Sequence, residues 1–441
     1  MKKIVLSLFV FAISANIVAA DHVMAATKRA PEKEVPATLN LSLQEAQDYA
    51  VAENRSLRNA DLAVQKAYAT RWQTIASMLP SVDMSWAYQS MMGYKMNFGG
   101  MPIEMPDNGT FGITASVGIN GQAIVGALLN NTAIEMQKLN LEISEDNLRA
   151  NVKSSYASVL VLEDVVKLLD NSLKNIEHLA AMTQRSVEVG AAEQTTADQI
   201  LVRVNTLKNN INANKRSTQL ALNALKVLLN VPAETELTLT TQLTDMLSAE
   251  AILTLLGQDF VLENNLSYQT LAKNVELAKK NVHMAGWAYG PTIGVGYQYS
   301  EKDYFGKKEG FNMTPPNALS IQVSMPLWSS GKRAAGVVEK KIALEEARNT
   351  FEETSDNLGI QNEQLRYNLQ NAFETYTNEQ ENIAVTQRVF DNTSLKFQQG
   401  VASNLDLVNA SNDLITAQST YVQAVLTLVN AEVELEKFLN L

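Results

Sequence analysis

The chain has 441 residues, 46% of them hydrophobic, with a formal net charge of −11 and no cysteine. That length serves two or three ordinary domains or one very elongated one. The missing cysteines exclude disulfides, thiol catalysis, thiolate metal sites and a lipid-bearing N-terminal cysteine, and the acidic balance argues against nucleic acid and against a polybasic membrane patch.

In chain order, Lys2 and Lys3 precede an apolar run from Ile4 to Val18, and Val18-Ala19-Ala20 or Val23-Met24-Ala25 offers small residues for cleavage. This predicts a secretory signal peptide over residues 1–26. The run is short for a helix crossing ~30 Å of hydrocarbon, and no later segment approaches ~20 consecutive apolar residues. A helix is predicted over 42–78. The stretch "LPSVDMSWAYQS" follows, with Val82, Met84, Trp86 and Tyr88 alternating with Ser81, Asp83, Ser85, Ala87 and Gln89. Side chains on a strand alternate faces with period two, so this is a strand with one greasy and one polar face. Phe111 to Asn120 repeats the alternation after a loop near 91–110 that holds Gly93, Gly99, Gly100, Pro102 and Pro106. Helices are then predicted near 130–189 and 194–230, broken at Gly190, with a small mixed patch over 231–261. A helix over 262–288 leads into "YGPTIGVGYQYS", where Ile293, Val295, Tyr297 and Tyr299 alternate with Thr292, Gly294, Gly296, Gln298 and Ser300. A loop near 301–317 precedes the fourth strand, in which Leu319, Ile321, Val323, Met325 and Leu327 alternate with Ser320, Gln322, Ser324 and Pro326. Helices near 335–398 and 403–440, broken at Gly400, close the chain.

The order of elements is duplicated. Pro80 answers to Pro291, Gly190 to Gly400, and "LLNV" at 228–231 to "FLNL" at 438–441. An internal period of about 210 is too long for a solenoid unit and marks a duplicated half. The boundaries read from it are a first structural repeat over 27–231, an equatorial segment over 232–261 and a second repeat over 262–441.

The last helix carries a heptad seam. Leu407, Leu414, Tyr421, Leu428 and Leu435 recur every seven residues, and Ala410, Ala417, Ala424, Ala431 and Phe438 follow three behind. The first repeat shows a rougher version in Val204, Leu207, Ile211, Asn214, Thr218, Ala221, Leu225 and Leu228. Each long helix of about sixty residues would extend roughly 90 Å. The fold class that follows is mainly α, with long antiparallel coiled-coil helices and a β-barrel portion of four strands per chain. Val82, Met84, Trp86, Tyr88, Ile293, Val295, Tyr297, Leu319, Ile321 and Val323 form the lipid-facing side on this reading, around a wet lumen. A soluble sheet with its apolar side on a core gives the same alternation. The signal peptide, the aromatic residues near strand ends and the lack of other material to cover the sheet favour the barrel. Four strands cannot close alone, so several chains must contribute.

The chain resembles the TolC-like outer-membrane efflux proteins over nearly its whole length, from about Leu41 to Leu441. "LSLQEAQDYAVAENRSLRNADLAVQKA" at 41–67 looks like the opening helix of that family, with "VLENNLSYQTLAKNVELAKKNV" at 261–282 as its second copy. "LPSVDMSW" resembles the entry to the first strand, and "MPLWSSGKRAA" at 325–335 the turn into the long helix of the second half, of which "GINGQAIVGAL" at 118–128 is a degenerate first copy. "QQGVASNLDLVNA" at 398–410 is similar to the family's periplasmic tip. The resemblance implies a homotrimer with a 12-strand barrel in the outer-membrane lipid and an α-helical tunnel extending into the periplasm. It implies partners too: a periplasmic adaptor (membrane fusion protein) and an inner-membrane pump, serving efflux or type I secretion of small molecules or polypeptides. By the same resemblance Asp406 stands at a constriction aspartate and Asn409 where some members carry a second. Ala402 stands where an arginine locks the closed state. Asp198, eight residues after Gly190, is a looser match. Gly190, Gly400 and Val401 fall at the adaptor-contact tips. Read from the residues alone, Asp406 equally suits a helix N-cap or first-turn acid, and the two glycines suit the turn itself.

No catalytic residue, metal site or cofactor is expected. His22, His178 and His283 are isolated, and no nucleophile elbow, phosphate-cradling loop or HExxH pattern occurs. The competing function is a periplasmic coiled-coil adaptor or structural spacer without a pore. The alternating strands discriminate the two.

Overall fold

A computed structural model describes residues 37–104, 106–190, 192–305 and 315–440. The expected signal peptide and His22 lie outside the described residues. The elements in chain order are β1 (Thr38–Leu41), α1 (Leu43–Glu53), α2 (Arg55–Ala76), β2 (Ser81–Gln89), β3 (Lys95–Phe98), β4 (Met101–Glu104), β5 (Asn108–Asn120), α3 (Gly121–Glu188), α4 (Gln194–Leu229), β6 (Glu236–Leu239), α5 (Leu243–Met246), α6 (Ala249–Leu256), α7 (Leu266–Gly286), β7 (Thr292–Tyr304), β8 (Asn317–Ser324), α8 (Lys332–Gln398) and α9 (Asn404–Leu439). They divide into two compact units. One comprises Leu62–Lys138 and Thr270–Glu352, the other the residues up to Asp61, Leu139–Gln269 and Glu353–Leu441. Each sequence repeat contributes to both units, so the repeat and the spatial division partition the chain differently.

The first unit is built on a four-stranded antiparallel sheet of order β2-β5-β7-β8. All four expected strands are present, and β5 and β7 pair over thirteen positions, Asn108↔Tyr304 to Asn120↔Thr292. The loop near 91–110 is more ordered than its glycines suggested. Gly99 and Gly100, both at positive φ, form the two-residue turn of a β3–β4 hairpin.

Helix entries in this unit are fixed by specific contacts. Asn120 Oδ1 accepts from Ala123 N at 2.8 Å and caps α3, which therefore starts at Gly121, ahead of the expected 130. A Cβ on Gly121 would stand 2.1 Å from the Trp287 ring, so only glycine lets the indole lie there. At the turn into α8, Ser330 and Gly331 adopt positive φ. Arg333 donates to Pro326 O at 2.7 Å and to Ser329 Oγ at 3.0 Å, with its guanidinium 5.1 Å from the Tyr289 ring centre. Farther along the helices, Lys280 and Lys273 pair with Glu276 at 2.7 and 3.3 Å, Lys273 reaches Glu135 at 2.6 Å, and buried Thr132 donates to Glu276 at 3.2 Å. The hydrogen bond from Lys280, with Lys273 behind it, pulls the Glu276 carboxyl down to about 2.

The second unit has two apolar clusters. The larger joins α1, α3, α4, α6, α8 and α9 around Tyr156, which is fully buried. Its hydroxyl donates to Leu41 O at 2.9 Å and accepts from Thr241 N at 3.0 Å, which ties α3 to the parallel pair β1–β6. The smaller gathers Ile176, Leu179, Ile200, Val204, Leu207, Phe390, Leu407, Ala410 and Leu414. The heptad residues Leu407, Leu414, Leu428 and Leu435 are all buried. Residues 231–261 hold β6, α5 and α6, the mix of strand and helix expected there.

The duplication has a local physical basis. The predicted helix over 42–78 is broken at Asn54, which takes extended backbone angles between α1 and α2. Asn54 Oδ1 accepts from Ser56 N and Leu57 N at 2.8 and 3.2 Å, while Nδ2 donates to Leu228 O at 2.8 Å. Asn265 repeats this with Ser267 N and Tyr268 N at 3.0 and 3.3 Å and Phe438 O at 2.9 Å. The recurrent asparagines of "LLNV" and "FLNL", Asn230 and Asn440, are left-handed caps with φ of 55° and 60°. Each helix pair is thus closed by one asparagine in the left-handed region and a second that caps the next helix and ties back to the last turn.

Candidate functional site: the apolar sheet face and the helical turns

Directly paired strand residues share a face, so the register sorts the sheet. Val82, Met84 and Trp86 pair with Ala115, Ile113 and Phe111. Ala115, Val117 and Ile119 pair with Tyr297, Val295 and Ile293, which pair in turn with Leu319, Ile321 and Val323. The ten residues read as one greasy side therefore lie on one face, Tyr88 included. The opposite face holds Ser81, Asp83, Ser85, Thr114, Ser116, Gln298, Ser320 and Gln322. The apolar face is uncovered: Trp86 is 67% exposed and Leu319 and Ile321 each 70%. A soluble sheet would bury such a face on a core, and no core lies over this one among the described residues. The outer edges of β2 and β8 are unpaired there as well. Aromatic residues flank the apolar band. Tyr88 packs on Phe305 with ring centres 5.8 Å apart at the end away from the helices, and Trp287, Tyr289 and Trp328 are exposed at the helix end.

In the second unit, α3–α4 and α8–α9 turn at Gly190 and Gly400, each with φ +73°. Gly400 N donates to Phe397 O at 3.0 Å and Val401 N to Lys396 O at 2.9 Å, a Schellman closure that needs the left-handed glycine. Val401 is exposed. Ser403 then caps α9 in a reciprocal capping box. Ser403 Oγ accepts from Asp406 N at 3.2 Å, and Asp406 Oδ2 accepts from Ser403 N at 2.9 Å. Asp406 is thus a first-turn acid, and the Ser403 hydroxyl, then its N–H, hold its carboxyl below the usual range.

Asp406, Asn409 and Asp413 are exposed and follow one another at helical spacing on one side of α9, about 100° around the helix from buried Leu407, Ala410 and Leu414. Asp413 was not singled out from the sequence. The signal was its place seven residues after Asp406. In the first repeat the cap is Glu193, whose side chain accepts from Thr195 Oγ1 at 3.2 Å and makes no capping bond to the backbone, and Thr196 holds the register position of Asp406. Asp198 lies two residues farther on, about 200° around the helix, and accepts from Gln194 Nε2 at 2.8 Å. Arg203 joins α4 to α9 by donating to Asn412 Oδ1 at 2.8 Å. No cluster of metal-ligating His, Cys, Asp or Glu occurs among the described residues, and no described helix is long and apolar enough to cross a membrane.

An uncovered two-faced sheet with open edges, joined in sequence to long glycine-broken helices, defines a channel-type protein of the outer membrane. A family model described as outer membrane efflux protein matches residues 47–231 and 259–441. The chain belongs to the outer membrane efflux protein family. It is 23% identical over 301 residues to the outer membrane efflux protein BepC of Brucella suis, a match covering 66% of this chain and 63% of that protein's length. It is 23% identical over 428 residues to the probable efflux pump outer membrane protein TtgC of Pseudomonas putida, covering 90% and 83% of the two chains. The crystal structure of CusC shares the fold, with a TM-score of 0.74, 17% identity and coverage of 93% and 99%. Family membership places the protein in the outer membrane, with a part reaching into the periplasm, and indicates no catalytic function.

Proposed function

We propose that three copies of this chain close their four-stranded sheets into a 12-strand barrel whose apolar faces meet lipid and whose polar faces line a wet bore. The single observation that carries this is the uncovered apolar face bounded by two unpaired strand edges. An open edge in hydrocarbon leaves N–H and C=O groups without partners, at several kcal/mol each, so closure with further copies is the stable solution. The helices continue the bore as a periplasmic tunnel, and the assembly is a passive exit duct for small molecules or polypeptides. The Gly190 and Gly400–Val401 turns are the adaptor-contact tips. The adaptor couples the duct to an inner-membrane pump, in a tripartite efflux system or in type I secretion, and the name of the Pseudomonas relative supports the efflux arrangement.

At the narrow end Asp406 supplies a ring of carboxylates, with Asn409 one helical turn on. Such a ring draws cations and repels anions. Asp198 is retained as a weaker contributor on its own helix face. A coiled-coil adaptor or spacer without a pore would have no use for the apolar face. Purified protein in a planar bilayer tests the reading: a cation-preferring conductance that loses preference in Asp406→Ala supports it, and no conductance in either protein rejects it.

A further inference from the structure

The polar face of the four-stranded sheet is almost free of charge. Apart from Asp83 and Lys302, every residue on that face of β2, β5, β7 and β8 is Gly, Ala, Ser, Thr, Asn, Gln or Tyr. The sheet therefore turns a single acid and a single base to this side. They stand at different levels. Asp83 pairs with Thr114, which pairs with Gln298, while Lys302 pairs with Thr110, which pairs with Ala87. Along β7 the level of Asp83 thus lies four residues before Lys302, ~14 Å at ~3.4 Å per residue. Asp83 is the third residue of β2, near the end where the helices enter. Lys302 is the third from the last of β7, toward the end away from them.

Neither charge is cancelled by a neighbour on its own face. Across the sheet, Asp83 and Lys302 each meet a threonine of β5. The acids on either side of Lys302, Glu301 and Asp303, alternate to the other face, where they pair with Phe111 and Gly109. The nearest same-face partners are uncharged. Ser81 Oγ lies 3.5 Å from Asp83 Oδ2, and Lys302 Nζ lies 5.3 Å from the Tyr304 ring centre.

We propose that Asp83 and Lys302 are the ion-specificity residues of the sheet. Three copies set an acidic ring near the helices and a basic ring beyond it, and the opposite signs leave the bore without net preference. This rests on the three-copy barrel proposed above and deepens it. Between the rings an ion meets only hydroxyl, amide and backbone groups, so the two charged residues are what can tune selectivity there. Lys302 cancels the preference that Asp83 would add, and net cation preference is left to the helical turns.

The test is the permeability ratio of K⁺ to Cl⁻, read from reversal potentials of the whole purified protein in a planar bilayer under a KCl gradient. Asp406→Ala is the parent, so that the bore sets the ratio. Adding Lys302→Gln should raise the ratio about twofold or more at ~0.1 M KCl, and adding Asp83→Asn should lower it by a similar factor. Both shifts should vanish at ~1 M, where the Debye length is ~3 Å in place of ~10 Å. Asp303→Asn, next to Lys302 but on the other face, should leave the ratio unchanged. Shifts of the same sign, no shift, shifts that persist at ~1 M, or an equal shift from Asp303→Asn overturn the inference and leave the channel reading standing, because current still flows. No current from any of the proteins rejects the channel reading, and this inference with it.

Discussion

Replacing Asn265 by alanine is the most informative single perturbation of the scaffold. Asn265 is 6% exposed and makes three hydrogen bonds: its Oδ1 caps Ser267 N and Tyr268 N, and its Nδ2 donates to Phe438 O. Loss of an N-cap side chain costs about 1–2 kcal/mol. The Phe438 carbonyl, left unpaired where the bond is buried, adds about 1–3 kcal/mol. Asn265→Ala should therefore destabilise the fold by about 2–5 kcal/mol. Asn265→Asp separates the two parts, since it keeps the acceptor for the cap and loses the donor to Phe438, so only the second part should be lost. Asn54→Ala, at the equivalent position of the first repeat, should lose the same kinds of bond. Urea unfolding in detergent, followed by far-ultraviolet circular dichroism, measures all three. An Asn265→Ala protein within about 0.5 kcal/mol of wild type would refute the reasoning, because ordinary surface changes reach that size. So would an Asn265→Asp protein as stable as wild type.

Glu276→Gln should destabilise the first unit at pH 7 by about 1 kcal/mol, a figure held down because the side chain is 40% exposed and water screens its lysine partners. Its folded pKa of about 2 lies below the ordinary carboxylate value. The carboxylate therefore stabilises fully above pH 4.5 and loses its effect as the pH falls through about 2, and the gap between variant and wild type in acid melts should close in that window. Gly121→Ala should drive a methyl group into the Trp287 ring at an overpacking cost of about 1–3 kcal/mol; heat denaturation should show the loss, and a second change, Trp287→Ala, should relieve it. The Ser403 hydroxyl holds the Asp406 carboxyl below its ordinary range, so cation preference in bilayer recordings should persist to a pH below 3.8 and then fade. In Ser403→Ala it should fade at a higher pH.

Local patterns in the sequence decided a great deal. Alternation with period two marks both faces of all four strands, because a pleated strand turns its side chains over at every residue whatever lies beside it. The heptad seam of Leu407 to Leu435 marks the buried side of α9 for a similar reason. The duplicated glycines and asparagines mark turns whose left-handed backbone few other residues adopt. Nearest-neighbour chemistry could not say which strands meet. The joining of the two strand pairs through β5 and β7 depends on residues 172 to 196 positions apart, and the pairing of β1 with β6 on residues 198 apart. The same distance hid Asn54 as a helix break, since its bond to Leu228 O comes from a segment 174 residues away. Tyr156 looked like one more helical aromatic until Leu41 and Thr241 converged on its hydroxyl. Asp406 shows the division most plainly. The sequence placed an acid after the Gly400 turn. The fold made it the third residue of a capped helix, aligned with Asn409 and Asp413, because direction around a helix is set only once its first residue is fixed.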